Sequence, residues 1–533
     1  MPHHTFTLTT TAQVRAALLS RQEIALLDVR EEDPFAQGHP LFAANLPLGR
    51  LELDARTRIP RLSTLIVVYD NGEGLAATAA QRLKAQGYTR VSLLQGGLQG
   101  WRDAGGEVFI DVNVPSKAFG ELVEARRHTP SLAATEVQAL LDAKADVVVL
   151  DARRFDEYQT MNIPGSTSVP GAELVLQARA LAPSPATRII VNCAGRTRSI
   201  IGTQSLVNAG LPNPVFALRN GTIGWTLAGQ ALEQGADRHG GAVSAVQAAQ
   251  AAAQARGVAD RAGVQRASSA QLAQWQQEDK RTTYWLDVRS PEEFAQGHLP
   301  GFRNAPGGQL VQETDFTAPV RGARLVLADD DGVRANMTAS WLAQMGWEVH
   351  VLDGLTPEDF QDRNPSAQPH PEPAHPVRWI TPQALAETLA ASAAGHIAVV
   401  DLTSSANHVQ AHIPGAWFVL RTDLAAALAR IPTAQRYVLT CSSSLLARHA
   451  VQEFAQATGA SIEVLEGGTQ AWADAGLPLE SGAQHLASPR TDRYRRPYEG
   501  TDNAHAAMQA YLDWEFGLVE QLARDGTHGF RVI

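Results

Sequence analysis

Short runs of consecutive apolar residues alternate along the chain with longer stretches in which apolar residues recur at helical spacing. "LIVVYD", "RIIVNC", "RLVLAD" and "RYVLTC" are runs of the first kind. A short, β-rich apolar run reads as a buried strand, and a stretch with a period near 3.6 reads as an amphipathic helix. Their regular alternation predicts an α/β fold, a small parallel sheet flanked by helices. In such sheets the ligand crevice lies beyond the carboxyl ends of the strands.

The pattern occurs four times. "ALLDVREEDPFAQGH" returns as "VVLDARRFDEYQTMN", "YWLDVRSPEEFAQGH" and "VVDLTSSANHVQAH", with strand-ending Asp28, Asp151, Asp287 and Asp401. Eleven residues after each come His39, Asn162, His298 and His412. Three copies continue as "IPGS", "LPGF" and "IPGA", while the first departs with "PLFA". The second apolar run ends at Asp70, Cys193, Asp329 or Cys441, 42 residues after the first aspartate in three copies and 40 in the last. Gly87, Gly210, Gly346 and Gly459 then stand where a helix C-cap belongs, and "GGLQGW", "NGTIGW", "DGLTPEDF" and "GGTQAW" close the copies. Trp101, Trp225 and Trp472 recur there, with Phe360 in the third copy.

These registers place four tandem domains at 1–112, 131–238, 266–366 and 378–485, with a helical extension at 486–533. The connector Gly241–Gly263 is rich in alanine and glutamine and is expected to be a helical, semi-rigid spacer. "NPSAQPHPEPAHPV", between the third and fourth copies, is expected to be extended, because successive prolines bar a helix. In the extension, Met508, Leu512, Phe516, Val519 and Leu522 form an apolar stripe. That stripe is expected to dock on the fourth unit or on a second chain, as in a homodimer, in preference to serving as a lid for an active site.

Composition narrows the function. At 44% hydrophobic and 19% charged residues, the chain reads as an ordinary folded protein. A net charge of −10 argues against a nucleic-acid partner and requires a local positive field for any small anionic substrate. No apolar run approaches the roughly 20 residues that span a bilayer, so no membrane partner is expected. The start, "MPHHTFTLTT", lacks the charged and apolar regions of a signal peptide. Two cysteines in 533 residues make no disulfide framework and point to a reducing cytoplasm.

Both cysteines follow the second apolar run, in "CAGRTRS" (Cys193–Ser199) and "CSSSLLA" (Cys441–Ala447). A strand ending in cysteine, a five- or six-residue turn of small and basic residues, and then a helix resembles the rhodanese sulfurtransferase family. The resemblance covers the "LDVR…EF..GH.PG" segment, the loop and the "GG...W" segment in order. It takes in all but the connectors and about the last 45 residues. It implies four tandem rhodanese-like domains, two with cysteine and two with aspartate at the nucleophile position. It also implies that the cysteine carries a persulfide.

The residues support such chemistry. The thiolate is the nucleophile, and a tight loop entering a helix turns backbone N–H groups inward as an anion-binding nest, expected to lower the thiol pKa. In the second unit, Ala194, Gly195, Arg196, Thr197, Arg198 and Ser199 are the substrate-binding candidates. Gly195 would permit the turn, Arg196 and Arg198 would supply charge, and Thr197 and Ser199 would supply hydroxyl donors. Cys193 would attack the sulfane sulfur of an anionic donor such as thiosulfate and pass it to a thiol or cyanide acceptor. Glutathione persulfide and mercaptopyruvate remain open as donors.

Cys441 is the second catalytic candidate, with Ser442, Ser443 and Ser444 as donors. It has no arginine and an apolar rim at Leu445 and Leu446, which suits an uncharged or organic persulfide. His408 and His412 are expected to make structural hydrogen bonds. Asp70 and Asp329 cannot form a persulfide, and Glu73, Asp330 and Asp331 would repel anions, so those units read as structural or partner-binding. The Asp329–Asp331 run is weak as a metal site, and neither metal nor cofactor is called for.

Two rival readings stay open. One is a non-catalytic relay or scaffold that binds a persulfidated partner. The other is a cysteine-dependent phosphatase, whose arginine would stand six residues after the cysteine, where this chain has Ser199 or Ala447.

Overall fold

The four repeats fold as four five-stranded sheets of one topology in a computed structural model, which describes residues 6–364, 370–391, 396–499 and 504–533. Across each sheet the strands run first, fifth, fourth, second, third, and the pairings are parallel. The second apolar run becomes the central strand: Ile66–Tyr69, Arg188–Asn192, Arg324–Ala328 and Arg436–Thr440. Helices cover both faces of a parallel sheet, so its central strand is apolar on both sides. Residues 70, 193, 329 and 441 therefore emerge at the carboxyl end of a buried central strand.

The strand-ending aspartates are structural anchors. Asp28, Asp151 and Asp287 are buried and bind the arginine two positions on, at 2.6, 2.7 and 2.6 Å. In the fourth unit that arginine is Thr403, and the Nδ1 of His408 takes the Asp401 carboxylate at 2.9 Å. Phe35, Tyr158 and Phe294 occupy the place of His408 in the other copies. The tryptophans Trp101, Trp225 and Trp472 are buried, and each indole N–H donates 2.8 Å to a carbonyl that closes its unit.

The units do not hang as independent beads. One continuous buried core runs through the first and third units, the helix Val114–Arg127 and the C-terminal residues Leu518, Leu522 and Phe530. The alanine-rich connector forms the helix Ala245–Ala262, but it is no spacer. Ala251, Ala255, Val258, Ala259 and Ala262 are buried against the helices Leu174–Leu181 and Arg334–Gln344 of the second and third units. Small side chains let those helices approach closely, which a count of helix formers does not reveal. Residues 365–369 of the proline-rich connector lie outside the described residues, and 370–378 carry no helix or strand. Among the described residues, no helix is long and apolar enough to cross a membrane.

Candidate active site around Cys193

The strand Arg188–Asn192 delivers Cys193, and the helix Thr197–Asn208 begins four residues later. The sulfur therefore lies between a strand end and a helix N-terminus, where the backbone N–H of Ser199 faces it. The Ser199 hydroxyl, expected as a donor to the site, donates 2.8 Å to the Arg196 carbonyl. The aspartate units use the same donor differently. Six residues after each aspartate, the N–H of Ala76 reaches Asp70 Oδ2 at 2.9 Å and that of Ala335 reaches Asp329 Oδ2 at 2.8 Å. Where cysteine is missing, the loop's own carboxylate occupies the helix N-terminus. Burial and neighbouring Asp331 hold the Asp329 carboxyl well above the usual range.

The recurring "GG" or "NG" before each final helix has a steric cause. Gly97, Gly221 and Gly468 have φ of +58°, +54° and +67°. A Cβ there would stand 2.6, 2.3 and 2.2 Å from the carbonyl oxygens of Asp70, Cys193 and Cys441. The next N–H groups, of Thr222 and Thr469, donate 2.9 Å to the cysteine carbonyls. These segments clamp the cysteine loops from below.

The two arginines of the second loop part company. Arg198 makes a two-pronged pair with Glu157 at 2.7 and 2.8 Å and, with Ala194, Glu157, Arg496 and Tyr498, lines a cavity of about 240 Å³. Burial acts to raise the Glu157 carboxyl, but Arg198, Arg153 and Arg154 together hold it down to about 2. Arg196 turns away from that cavity. It binds Glu121 at 2.7 and 2.9 Å, pairs with Glu124, and lies 4.2 Å from the Phe516 ring centroid. Thr197 also faces the helix Val114–Arg127, for a Cβ on Gly120 would stand 3.0 Å from its methyl group. Sequence spacing alone does not separate the one arginine on the cavity side from the one behind the loop.

The C-terminal stripe does not dock on the fourth unit. The helices His505–Phe516 and Leu518–Asp525 pack on the second unit and the helix Val114–Arg127. Tyr498, Met508, Tyr511 and Leu512 bury Ala194 and Ile223, so the extension roofs the Cys193 loop. Gly195 does not need a left-handed backbone, as the turn suggested. A Cβ there would stand 3.2 Å from Tyr511 Cε1 and 3.4 Å from Glu515 Oε2, so the glycine makes room for the roof. Beneath it, buried Lys117 donates 2.8 Å to Asp111 and lies 5.0 Å from the Tyr511 ring centroid.

This roof reverses the expected thiol shift. Burial pushes the Cys193 thiol above its ordinary value, outweighing the pull of Arg198 and Ser199, and Glu515 adds to the rise. Glu515 is itself buried: Oε1 accepts from the Tyr511 hydroxyl at 2.9 Å, and Oε2 has no hydrogen-bond partner among the described residues. Burial and Glu121 push its carboxyl up to about 8 against the pull of Lys117 and Arg196. Ionised Glu515 disfavours a thiolate beside it, so Glu515→Gln should lower the midpoint of Cys193 alkylation by roughly half a pH unit. Iodoacetamide rates against pH, in a Cys441→Ser background, check this; an unmoved midpoint would show the two groups uncoupled.

The fourth loop is built alike but equipped differently. Cys441 is buried, Ser442 and Ser443 are exposed, and Ser444 is buried with φ +65°. Ser442 Oγ and Thr403 Oγ1 are 2.9 Å apart. Leu446 joins the core and, with Thr403, lines a second cavity of about 410 Å³ where the first, third and fourth units meet. Tyr498, Tyr511, Glu515, Glu121 and Glu157 went unread in the sequence; all but Glu157 lie outside the repeats, where no register exposes them.

A model of the rhodanese-like domain matches residues 10–104, 133–228, 268–355 and 381–475. A solved structure of thiosulfate sulfurtransferase from Pseudomonas aeruginosa is 67% identical, covers 99% of this chain and 100% of its own, and superposes with a TM-score of 0.97. A rhodanese-like domain protein from Staphylococcus aureus is 26% identical over 20% of this chain and 100% of its own, with a TM-score of 0.17. The uncharacterized protein YqhL of Bacillus subtilis is 36% identical over 76 residues, 14% of this chain, and the chain spans 59% of that curated relative's length. With one match on each of its four sheets, the chain belongs to the rhodanese-like domain family.

Proposed function

We propose that this protein is a sulfurtransferase that moves a sulfane sulfur from thiosulfate, or a related small anionic donor, through a persulfide on Cys193 to a thiol or cyanide. The carrying observation is that Cys193 faces the Ser199 N–H at the helix N-terminus, while Arg198 and Ala194 open onto a cavity. The 67% identical thiosulfate sulfurtransferase, matched over its whole length, supports the same reading. The Cys193 thiolate attacks the outer sulfur of thiosulfate. The new S–S bond forms as the bond to the sulfonate sulfur breaks, and sulfite leaves with that electron pair. An acceptor thiolate then takes the terminal sulfur and returns Cys193 as thiolate.

Arg198 is the loop's cation on the cavity side, in a lining that also includes Arg153, Arg154, Arg493 and Arg496, and the Glu157 fork fixes its plane. A charge-assisted contact of this kind contributes about 1.5–3 kcal/mol, so Arg198→Ala should weaken thiosulfate use roughly ten- to hundred-fold. It also leaves Glu157 with only the longer 3.6 Å pair to Arg154, which adds repulsion against a dianion but little against a neutral persulfide. Steady-state kinetics with both donors check the split; equal losses would point away from a charge role. Ala194, Gly195 and Ser199 would line the bound sulfur through the backbone. Arg196 and Thr197 would hold the loop from behind. Cys441, with Ser442, Ser443 and Ser444, would carry sulfur from a less charged donor. The aspartate units would be structural. Intact-mass measurement after thiosulfate tests the whole reading: a sulfur adduct on Cys193 is expected, and its absence would overturn it.

A further inference from the structure

The fourth unit departs from its sisters at the histidine eleven residues after the strand-ending aspartate. In the first and third units both ring nitrogens of that histidine lie against carbonyls. His39 meets Pro40 O at 2.8 Å and Asp111 O at 2.9 Å; His298 meets Leu299 O at 3.1 Å and Asn364 O at 2.9 Å. His412 differs. Its Nδ1 lies 2.6 Å from His408 O, while Nε2 has no carbonyl partner among the described residues and stands 4.0 Å from Glu480 Oε2.

His485 completes the group. Its Nδ1 is enclosed and has no hydrogen-bond partner among the described residues. One ligand atom each from His412, Glu480 and His485 lie within 4.8 Å of one another. The scaffold behind them is fixed. His412 and Glu480 exchange backbone hydrogen bonds of 2.8 Å in both directions, and the Phe418 N–H donates 2.8 Å to His485 O. His408 stacks on His412 at 4.0 Å and is held by Asp401 at 2.9 Å. An Nδ1–H given to a carbonyl leaves Nε2 with its lone pair outward, the arrangement most metal-bound histidines share.

We propose that His412, Glu480 and His485 form a binding site for a divalent transition ion of the zinc type. Two imidazoles and one carboxylate, with a fourth position open to water, suit Zn²⁺; Mg²⁺ and Ca²⁺ select all-oxygen sets. Neighbouring ligand atoms on a tetrahedral zinc stand roughly 3.3 Å apart, so the group must close slightly. Glu480, with 52% of its side chain exposed, can do so by giving up the 3.1 Å hydrogen bond that its Oε2 accepts from the Gly415 N–H. Bound metal would pin the segment that follows the last helix of the fourth unit to its sheet edge, coupling ion binding to the stability of that unit.

The test uses the full-length chain with Cys193→Ser and Cys441→Ser, so that thiolates cannot serve as ligands. After stripping with a chelator, it is titrated with Zn²⁺ against a competing zinc dye. One equivalent should bind at micromolar affinity or tighter, the melting temperature should rise, and zinc X-ray absorption should show imidazole back-scattering. His485→Gln and Glu480→Gln, made on partly exposed side chains, should each weaken binding at least about tenfold while leaving the circular dichroism of the metal-free protein unchanged. Absence of saturable binding, or affinity indifferent to both substitutions, would overturn the site.

Discussion

Cys193→Ser should cut thiosulfate:cyanide turnover by ~10³-fold or more, whereas Cys441→Ser should leave most of it. The oxygen of serine cannot carry a persulfide, and the change scarcely alters volume in a buried loop clamped by Thr222 and Ile223 N–H groups at 2.9 and 3.0 Å. The fold should survive, so the loss measures chemistry. The asymmetry rests on what stands beside each sulfur. Cys193 has Arg198 on its cavity side, whereas the loop after Cys441 offers serines and a leucine rim. A dianionic donor in a chain of net charge −10 needs a fixed cation near the reacting atom. Steady-state rates of the two single variants, with thiosulfate varied and cyanide saturating, decide it. Equal losses would give both loops the same donor and remove Arg198 from the explanation.

The repeat architecture was legible because one register carries it. Strand-ending aspartate, central-strand end and final tryptophan recur at nearly constant spacing, and a parallel sheet turns that register into position. The "LDVR" motif hides a buried ion pair, and its loss in the fourth copy is answered by His408 four residues before His412. The direction of side chains around the loop was not legible. Arg196 and Arg198 are two positions apart at a helix start, so they leave it on different sides; which side faces the cavity depends on Glu121 and Glu157. Gly195 looked like a turn residue but serves packing, because its neighbour is Tyr511 from the far end of the chain. The thiol shift followed the same blind spot. A helix N-terminus and an arginine argue for a depressed pKa, but burial outweighs them, and the roof of Tyr498, Tyr511 and Leu512 over the loop adds to that burial from outside the repeat.

Leu512→Ala should loosen that roof and speed alkylation of Cys193 in the folded protein by roughly 30-fold. Leu512 is 1% exposed and wedged among Tyr498, Met508, Tyr511, Ala194 and Ile223. Truncating such a leucine costs about 2–5 kcal/mol. Most of that cost should fall on local opening of the helix His505–Phe516, because one apolar patch holds it over the loop, while Leu518 and Leu522 of the next helix sit in the core of the first and third units. Opening also hydrates the thiol, which removes the burial that raises its pKa and so adds to the rate. Cys441 is the internal control. It lies in a different core, with Leu439, Leu446 and Ala447, and its alkylation should not change. Mass spectrometry of both sites in one reaction separates the cases. Parallel acceleration of the two cysteines would signal general loosening, and no change at Cys193 would mean that the reagent already reaches it through the Arg198 cavity. Under local opening, persulfide on Cys193 should also lose its outer sulfur faster to stray thiols, which leave as persulfides and return the Cys193 thiol, because the roof also shelters the product.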